Sequence, residues 1–359
     1  MNLIYIFNSK YVKIKIYFII LLNIILFYLI FLRRKNKKVG IVGVRHEANI
    51  GNNLIKYAIS IKIAEFGYIP YIIGTVWKKY NNIDFIKQKT NLVIINESFN
   101  EIKQNDYDIL IVNSDQTWVK FDTNFYDYGF LKFAQKWKIP KFVYGASLGF
   151  DTWKFSKKDE EIAKELLSNF SGISVREKGS IELIKKHLGI KPKFVLDPTF
   201  LIDKSYYLGL ITDFKGNLSI KNYSYIFTYN IANTSYIINS MKDASQELNM
   251  GTYYFPLNNQ SSVIKFLFYI VNSKAVITNS YHGTVFSIIF NKPFLSFFSK
   301  NSAKERYNSL GNIFNISERM IELGKKPNYN LLKQPLNINQ EILNQLKKES
   351  IRFLKDHLK

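Results

Sequence analysis

The sequence predicts an α/β protein of two domains, each built around a parallel β-sheet. Short apolar runs that fit buried strands alternate with longer runs that fit helices over residues 38–298, which is typical of parallel sheets. The 359 residues are enough for two ordinary domains, and a hydrophobic fraction of 47% is that of a protein with packed cores. Several predicted strands end in short polar loops, and the carboxyl ends of parallel strands are where open α/β sheets bind ligands.

Residues 1–38 form a basic and hydrophobic amino-terminal segment outside the predicted domains. Ile16 to Leu32 is an apolar run of 17 residues that only Asn23 interrupts. As a helix at ~1.5 Å per residue it spans about 25 Å, slightly less than the ~30 Å hydrocarbon core of a bilayer. We predict a hydrophobic helix that attaches the protein to the membrane; a buried helix, or one lying in the interface, is the alternative.

A basic cluster follows this run at Arg33, Arg34 and Lys35. The positive-inside rule then puts the large carboxyl-terminal part in the cytoplasm. We therefore expect the protein at the cytoplasmic face of the inner membrane, as a single-pass or a peripheral protein, or otherwise in the cytoplasm.

The formal charge of +22 comes from 50 Lys and Arg against 28 Asp and Glu. The basic residues are scattered over the chain except for a cluster in the first 38 residues, so we expect no nucleic-acid partner. The chain has no cysteine, which excludes disulfides and a cysteine nucleophile. Its four histidines form no close pair, and we predict no metal site.

The first domain is predicted over residues 39–171. Its strands are expected at 38–44, 68–74, 107–113 and 141–146, with helices at 51–66 and 156–170. The boundary is set near Ser171 and Gly172, between two α/β units.

The second domain is predicted over residues 172–330, and a carboxyl-terminal helix within residues 331–359. Strands are expected at 173–177, 193–196, 223–229, 252–255 and 275–278, and from residue 293. Helices are expected to end at 188 and to span 234–248, 262–272 and 284–290, with the final amphipathic helix at 339–358.

The loop 279–283 is the most informative part of the second domain. It follows a buried strand, precedes an apolar helix and holds His282 beside Gly283. Free N–H groups at a helix amino terminus favour anions, and a histidine there can act as an acid, a base or a phosphate contact.

Three earlier loops carry further candidates. Gly51 and Asn52 open a predicted helix, where backbone N–H groups can face a ligand; a tight turn with a helix cap is the alternative. Arg176 suits bidentate capture of a carboxylate or phosphate, or else a structural ion pair with Glu177 or another acid. Asp115 is a candidate general base or hydroxyl ligand, with a helix cap as the alternative. The turn at 197–199 is given a supporting role.

Taken together and in this order, the loops resemble the polysaccharide pyruvyl transferase family. The resemblance covers about residues 39–298, and its motifs are Asn49–Asn52, Asn113–Trp118, Tyr144–Gly149, Ser174–Glu177, Asp197–Thr199 and Thr278–Gly283, with Phe286 and Ser287. It implies two Rossmann-like domains similar to the B-type glycosyltransferase fold, with the site in the cleft between them. It also implies transfer of a pyruvyl group from phosphoenolpyruvate to a sugar of a surface polysaccharide, forming a ketal.

The resemblance also suggests roles for single residues. Arg176 would bind the phosphate or carboxylate of the donor, and His282 would be the acid/base or a donor contact. Asp115 would be the second catalytic group. Other binding candidates in the same motifs are Gly51, Asn52, Ser147, Ser280 and Gly283. Better-known members often have an acid just after the first glycine-rich turn, where this chain has Leu54.

The expected partners are phosphoenolpyruvate as donor substrate and a sugar acceptor, free or lipid-linked, with no further cofactor. The first alternative is a nucleotide-sugar-dependent glycosyltransferase on the same type of fold, also acting in polysaccharide biosynthesis. The second is a non-enzymatic protein that binds membranes or nucleic acids through its positive charge.

Overall fold

The computed structural model describes residues 37–43, 49–75, 83–95, 98–120, 123–214, 224–257, 262–299 and 304–359. The predicted amino-terminal hydrophobic helix lies outside these residues. Within the described ranges, no helix combines the length and the apolarity needed to cross a membrane.

Seven strands of the described chain form the first sheet, in the order β3-β2-β1-β4-β5-β6-β7, and every pair is parallel. The central strands are built from apolar residues buried on both faces, as parallel sheets covered by helices require. Their bounds are β1 Lys38–Val42, β2 Ile69–Thr75, β3 Asn91–Ile95, β4 Ile109–Val112, β5 Lys141–Ala146, β6 Gly172–Val175 and β7 Lys193–Phe194.

Five described strands form the second sheet, in the order β12-β11-β10-β8-β9, again with parallel pairs throughout. Their bounds are β8 Tyr225–Tyr229, β9 Gly251–Tyr254, β10 Ala275–Thr278, β11 Phe294–Phe298 and β12 Met320–Glu322. The predicted α/β class with parallel sheets is therefore confirmed.

Helices connect the strands and cover the sheets. The helices that belong with the first sheet are α1 Ile50–Glu65, α2 Ile83–Lys89, α3 Phe125–Phe130, α4 Lys157–Leu167 and α5 Gly179–Leu188, and α6 Lys204–Gly209 follows them in the chain. In the second sheet they are α7 Ser235–Leu248, α8 Val263–Asn272, α9 Tyr281–Ile289 and α10 Lys304–Phe314. The elements α2, β3, α3, α6, α10 and β12 have no counterpart in the sequence prediction.

The predicted domain boundary near residue 172 needs correction. Ser171 N–H donates to the carbonyl of Lys141, and β6 continues this pairing with β5. The boundary at 171–172 therefore falls inside the first sheet, and the change of sheet comes later, between Phe194 and Tyr225. The sequence shows where a strand begins, but hydrogen bonding between distant strands decides which sheet it joins.

The last helix, α11 (Gln340–His357), agrees closely with the predicted helix at 339–358. It returns to the first domain, where Leu354 and Leu358 pack in one apolar cluster with Val39 and Ile41 of β1. The Ser350 hydroxyl also accepts the Leu196 N–H at 2.9 Å. The chain thus crosses between the two domains a second time, which ties the carboxyl terminus to the first sheet.

Candidate active site

Helix α1 begins at the carboxyl edge of the first sheet. Asn49 caps it by accepting the Asn52 N–H at 3.2 Å, and the residues of the first turn are buried. Gly51 and Asn52 thus lie in the first helical turn, as the prediction of a helix opening at this point required. The Asn52 amide donates from Nδ2 to Asp115 Oδ2 at 2.9 Å, while its Oδ1 has no hydrogen-bond partner among the residues that the structure describes.

Helix α9 begins at the carboxyl edge of the second sheet, three residues earlier than predicted. Ser280 is its cap and accepts the Gly283 N–H at 3.3 Å, while the Thr284 hydroxyl donates to the Ser280 carbonyl. His282 and Gly283 therefore belong to the first turn of the helix and not to the preceding loop. A serine whose side chain can satisfy a free N–H starts a helix efficiently, which explains the earlier start.

The two helix amino termini meet at the junction of the domains. The His282 imidazole packs on Gly51 so closely that a Cβ built on Gly51 would stand 2.0 Å from His282 Nδ1. No side chain fits there unless the ring moves. Two helix amino termini thus face one buried histidine, an arrangement that favours negative charge between them.

Arg176 lies at the centre of a buried ionic network. Its guanidinium contacts Asp197 at 2.7 Å, Asp115 at 3.2 Å and Glu177 at 3.3 Å, and its side chain has no exposed surface. It also lies 4.7 Å from the ring centroid of Tyr281, in the other domain. Burial alone would lower the pKa of Arg176, but Asp197 and Asp115 raise it, so the guanidinium keeps its charge.

The contacts of Arg176 agree with the alternative interpretation of the sequence, in which Arg176 forms structural ion pairs with Glu177 or other acids. All of its charged contacts are with protein carboxylates, and its side chain is closed to solvent. Direct contact of Arg176 with a donor phosphate or carboxylate stays a prediction.

Asp115 links Asn52 at the start of α1 to Arg176. Its carboxylate takes hydrogen bonds from both and caps none of the described helices, and its backbone has a positive φ of 107°, strained for a residue with a side chain. Burial alone would raise the pKa of Asp115, but Arg176, His282 and the Asn52 amide lower it. Asp115 is thus held as a carboxylate and is a weak base.

Asp197 has a larger part than the supporting role expected from the sequence. One oxygen orders the turn by accepting the N–H and the hydroxyl of Thr199. The other lies 2.7 Å from Arg176 and 3.6 Å from His282 Nε2, which has no hydrogen-bond partner within the described part of the chain. Burial alone would raise the pKa of Asp197, but His282 and Arg176 lower it, so a fixed carboxylate faces the imidazole.

Arg306, on α10, is a further cation that the sequence analysis missed. Its guanidinium lies 5.7 Å from the Tyr281 ring centroid and 5.2 Å from that of Tyr307. Its buried Nε has no hydrogen-bond partner, and among the described residues it forms no ion pair within 4 Å. The helix that carries it has no strong sequence signal, so only its position beside Tyr281 identifies it.

The remaining predicted residues form the wall of the site. Ser147 is buried; its carbonyl accepts the Trp118 N–H, and its N–H donates to the carbonyl of Asp115. Ser280 and Gly283 act in the first turn of α9, as described above. The described residues contain no group of three or more His, Asp or Glu side chains arranged to hold a metal ion.

Comparison with known proteins agrees with this architecture. A family model described as polysaccharide pyruvyl transferase matches residues 31–299. No curated protein sequence matches the chain.

Solved structures with the same fold include two UDP-GlcNAc 2-epimerases. The enzyme from Neisseria meningitidis, bound to UDP-GlcNAc, is 11% identical with a TM-score of 0.55, over 89% of this chain and 100% of that one. The enzyme from Methanocaldococcus jannaschii is 14% identical with a TM-score of 0.51, over 89% and 99% of the two chains. At such low identity these matches show the fold alone: two Rossmann-like domains similar to the B-type glycosyltransferase fold.

Proposed function

The chain belongs to the polysaccharide pyruvyl transferase family, and on that premise we propose that it moves a pyruvyl group from phosphoenolpyruvate to a sugar of a cell-surface polysaccharide or its lipid-linked precursor. The observation that carries the proposal is the meeting of the α1 and α9 amino termini around His282, with Gly51 on one side and Asp197 on the other. Such a site suits a small anion that must also receive a proton.

The reaction balances with the groups of the site. A proton is added to the methylene carbon of phosphoenolpyruvate, and two sugar hydroxyls form bonds to the neighbouring carbon. The phosphate leaves with one of the two hydroxyl protons, and the other replaces the proton spent on the methylene carbon. The product is a cyclic ketal that keeps the carboxylate, and the enzyme returns to its starting state.

We assign the proton transfer to His282. The Asp197 carboxylate faces His282 Nε2 at 3.6 Å. A carboxylate beside one nitrogen of a catalytic imidazole stabilises the charged ring and leaves the other nitrogen, here Nδ1, to exchange the proton. Asp197 is thus a positioning residue for His282.

The anionic groups of the donor need cationic partners that are still open. Arg176 is enclosed by three carboxylates, whereas Arg306 forms no ion pair within 4 Å among the described residues and its Nε has no hydrogen-bond partner there. We therefore assign phosphate or carboxylate binding first to Arg306 and to the helix N–H groups. Arg176 holds Asp115 and Asp197 in place, and it reaches the donor only if these contacts rearrange.

Asp115 is suited to orienting the sugar hydroxyl. Its low pKa makes it a weak base, but its carboxylate is a strong hydrogen-bond acceptor.

The membrane-facing location remains part of the proposal and rests on the apolar run and basic residues of the first 38 residues. Cell fractionation of the full chain tests it, and recovery entirely in the soluble fraction would count against it.

The experiment for the function is a ligand panel on the purified protein, comparing phosphoenolpyruvate with UDP-sugars by calorimetry and thermal shift. We expect phosphoenolpyruvate to bind the wild type and the control variant His187→Asn, since His187 lies away from the site beside Glu160. His282→Asn should abolish glycan pyruvylation in cells. If the protein binds a UDP-sugar and does not bind phosphoenolpyruvate, the glycosyltransferase alternative is the correct one.

A further inference from the structure

Two carboxylates cap helices of opposite domains across one side of the cleft. Asp151, in the first domain, accepts the N–H groups of Lys304 and Glu305 at 3.1 and 2.8 Å, at the start of α10. Glu305, in the second domain, accepts the Gly179 N–H at 3.0 Å, at the start of α5. Each domain therefore supplies the carboxylate that caps a helix of the other, where negative charge also complements the helix dipole.

The fit between these two helices is close. The Ser309 hydroxyl of α10 accepts the Lys178 N–H at 3.2 Å, next to the Glu305 contact. A Cβ built on Gly179 would lie 2.6 Å from the Glu305 carboxyl carbon, so a larger residue there would require the carboxylate to move from its present position. Four hydrogen bonds and the close approach at Gly179 thus dock α10 on the first domain.

The docked helix carries Arg306, the residue immediately after Glu305. A shift of α10 moves Arg306 relative to Tyr281, whose ring it approaches at 5.7 Å, and relative to Arg176 on the first domain. Asp151 and Glu305 therefore influence the position of the Arg306 guanidinium through the helix, without contacting it.

We propose that Asp151 and Glu305 are positioning residues: by capping α10 and α5 reciprocally, they dock α10 on the first domain and hold Arg306 at the cleft. The ligand part of this inference rests on the proposed function, in which Arg306 binds the anionic groups of phosphoenolpyruvate. The docking itself does not depend on that ligand.

The test uses three variants of the full chain. Asp151→Asn and Glu305→Gln remove one cap charge each. Gly179→Ala changes no charge and displaces only the Glu305 carboxylate, although alanine favours the helix itself. Asp108→Asn is the matched control, because Asp108 accepts the Lys38 N–H at 2.7 Å within the first domain alone.

Three readouts separate docking from ligand binding. Hydrogen exchange follows the amides of Gly179, Lys304 and Glu305. The rate of Arg306 modification by phenylglyoxal, mapped by mass spectrometry, reports its position without any substrate. Calorimetry measures the dissociation constant for phosphoenolpyruvate.

We expect faster exchange and an altered Arg306 modification rate in all three variants, and about five- to tenfold weaker phosphoenolpyruvate binding, with Asp108→Asn unchanged. Wild-type exchange and modification rates in Asp151→Asn and Gly179→Ala would overturn the proposal. If the wild type fails to bind phosphoenolpyruvate, the proposed function is wrong, and the first two readouts still decide whether the caps position Arg306.

Discussion

His282 and Gly51 belong to different domains and lie in direct contact: a Cβ on Gly51 would stand 2.0 Å from His282 Nδ1. The contact joins the first turns of α1 and α9, so the site exists only when the two domains are packed together. The position of the His282 ring therefore requires a residue without a side chain at position 51, whether or not the turn itself needs glycine.

Gly51→Ala should lower activity strongly without unfolding the protein. The new methyl group pushes the imidazole away from its present position, and a displacement of about 1 Å in a catalytic group can cost about 100-fold in rate. The overpacking itself should cost about 1–3 kcal/mol of stability. Pyruvylation assays and urea unfolding measure the two effects.

Gly209→Ala is the matched control, because a Cβ built there meets no heavy atom of the described residues within 4 Å apart from its chain neighbours and its own helix backbone. It should keep wild-type activity. Equal activity of Gly51→Ala and Gly209→Ala would mean that the position of His282 does not matter for the reaction.

Arg306→Gln should weaken phosphoenolpyruvate binding by about 10- to 100-fold, since a hydrogen bond to a charged group contributes about 1.5–3 kcal/mol. Stability should change little, because Arg306 forms no ion pair with the described residues. The measurement is calorimetric titration, with Arg352→Gln on the exposed face of α11 as control. An unchanged affinity would mean that residues other than Arg306 bind the phosphate and carboxylate of the donor.

Arg176→Met should be mainly a stability variant. Removing the guanidinium leaves Asp115, Asp197 and Glu177 close together without their cation, and breaking such a buried network costs about 3–5 kcal/mol. Urea unfolding measures the loss, with Arg352→Met as the exposed control. A small loss of stability together with a large loss of phosphoenolpyruvate affinity would instead support the ligand role predicted from the sequence.

Two carboxylates of the network should have opposite effects on acid stability. The pKa of Asp197 is lowered by His282 and Arg176 against the effect of burial, so its contribution is present above about pH 4 and is lost as the pH falls. Burial raises the pKa of Glu177. As the pH falls through this raised pKa, Glu177 therefore increases the free energy of unfolding.

Asp197→Asn should therefore flatten the acid side of the stability profile, and Glu177→Gln should steepen it. Urea unfolding between about pH 3 and pH 8 tests the pair. If both variants shift the profile in the same direction, the assignment of a lowered pKa to Asp197 and a raised pKa to Glu177 is wrong.

Much of the fold was predictable because local pattern is enough to specify it. The strand at 275–278 and the strand at 141–146 match β10 and β5, and the final helix differs by one residue at each end. Helix α3, with 6 residues, is too short to show a helical period, and it was missed, as was α10. The boundary at 172 was misplaced because strand pairing between distant segments leaves no local signal.

The sequence by itself determined the alternation of strands and helices, the polar loops at strand ends and the set of candidate residues, because these follow from local hydrophobic period and residue type. The tertiary structure decided how the candidates are used. It enclosed Arg176 among three carboxylates, gave Asp197 a place behind His282 and brought Arg306 to Tyr281. These contacts join residues far apart in the chain, and they depend on how two separately formed sheets pack, which no local pattern encodes.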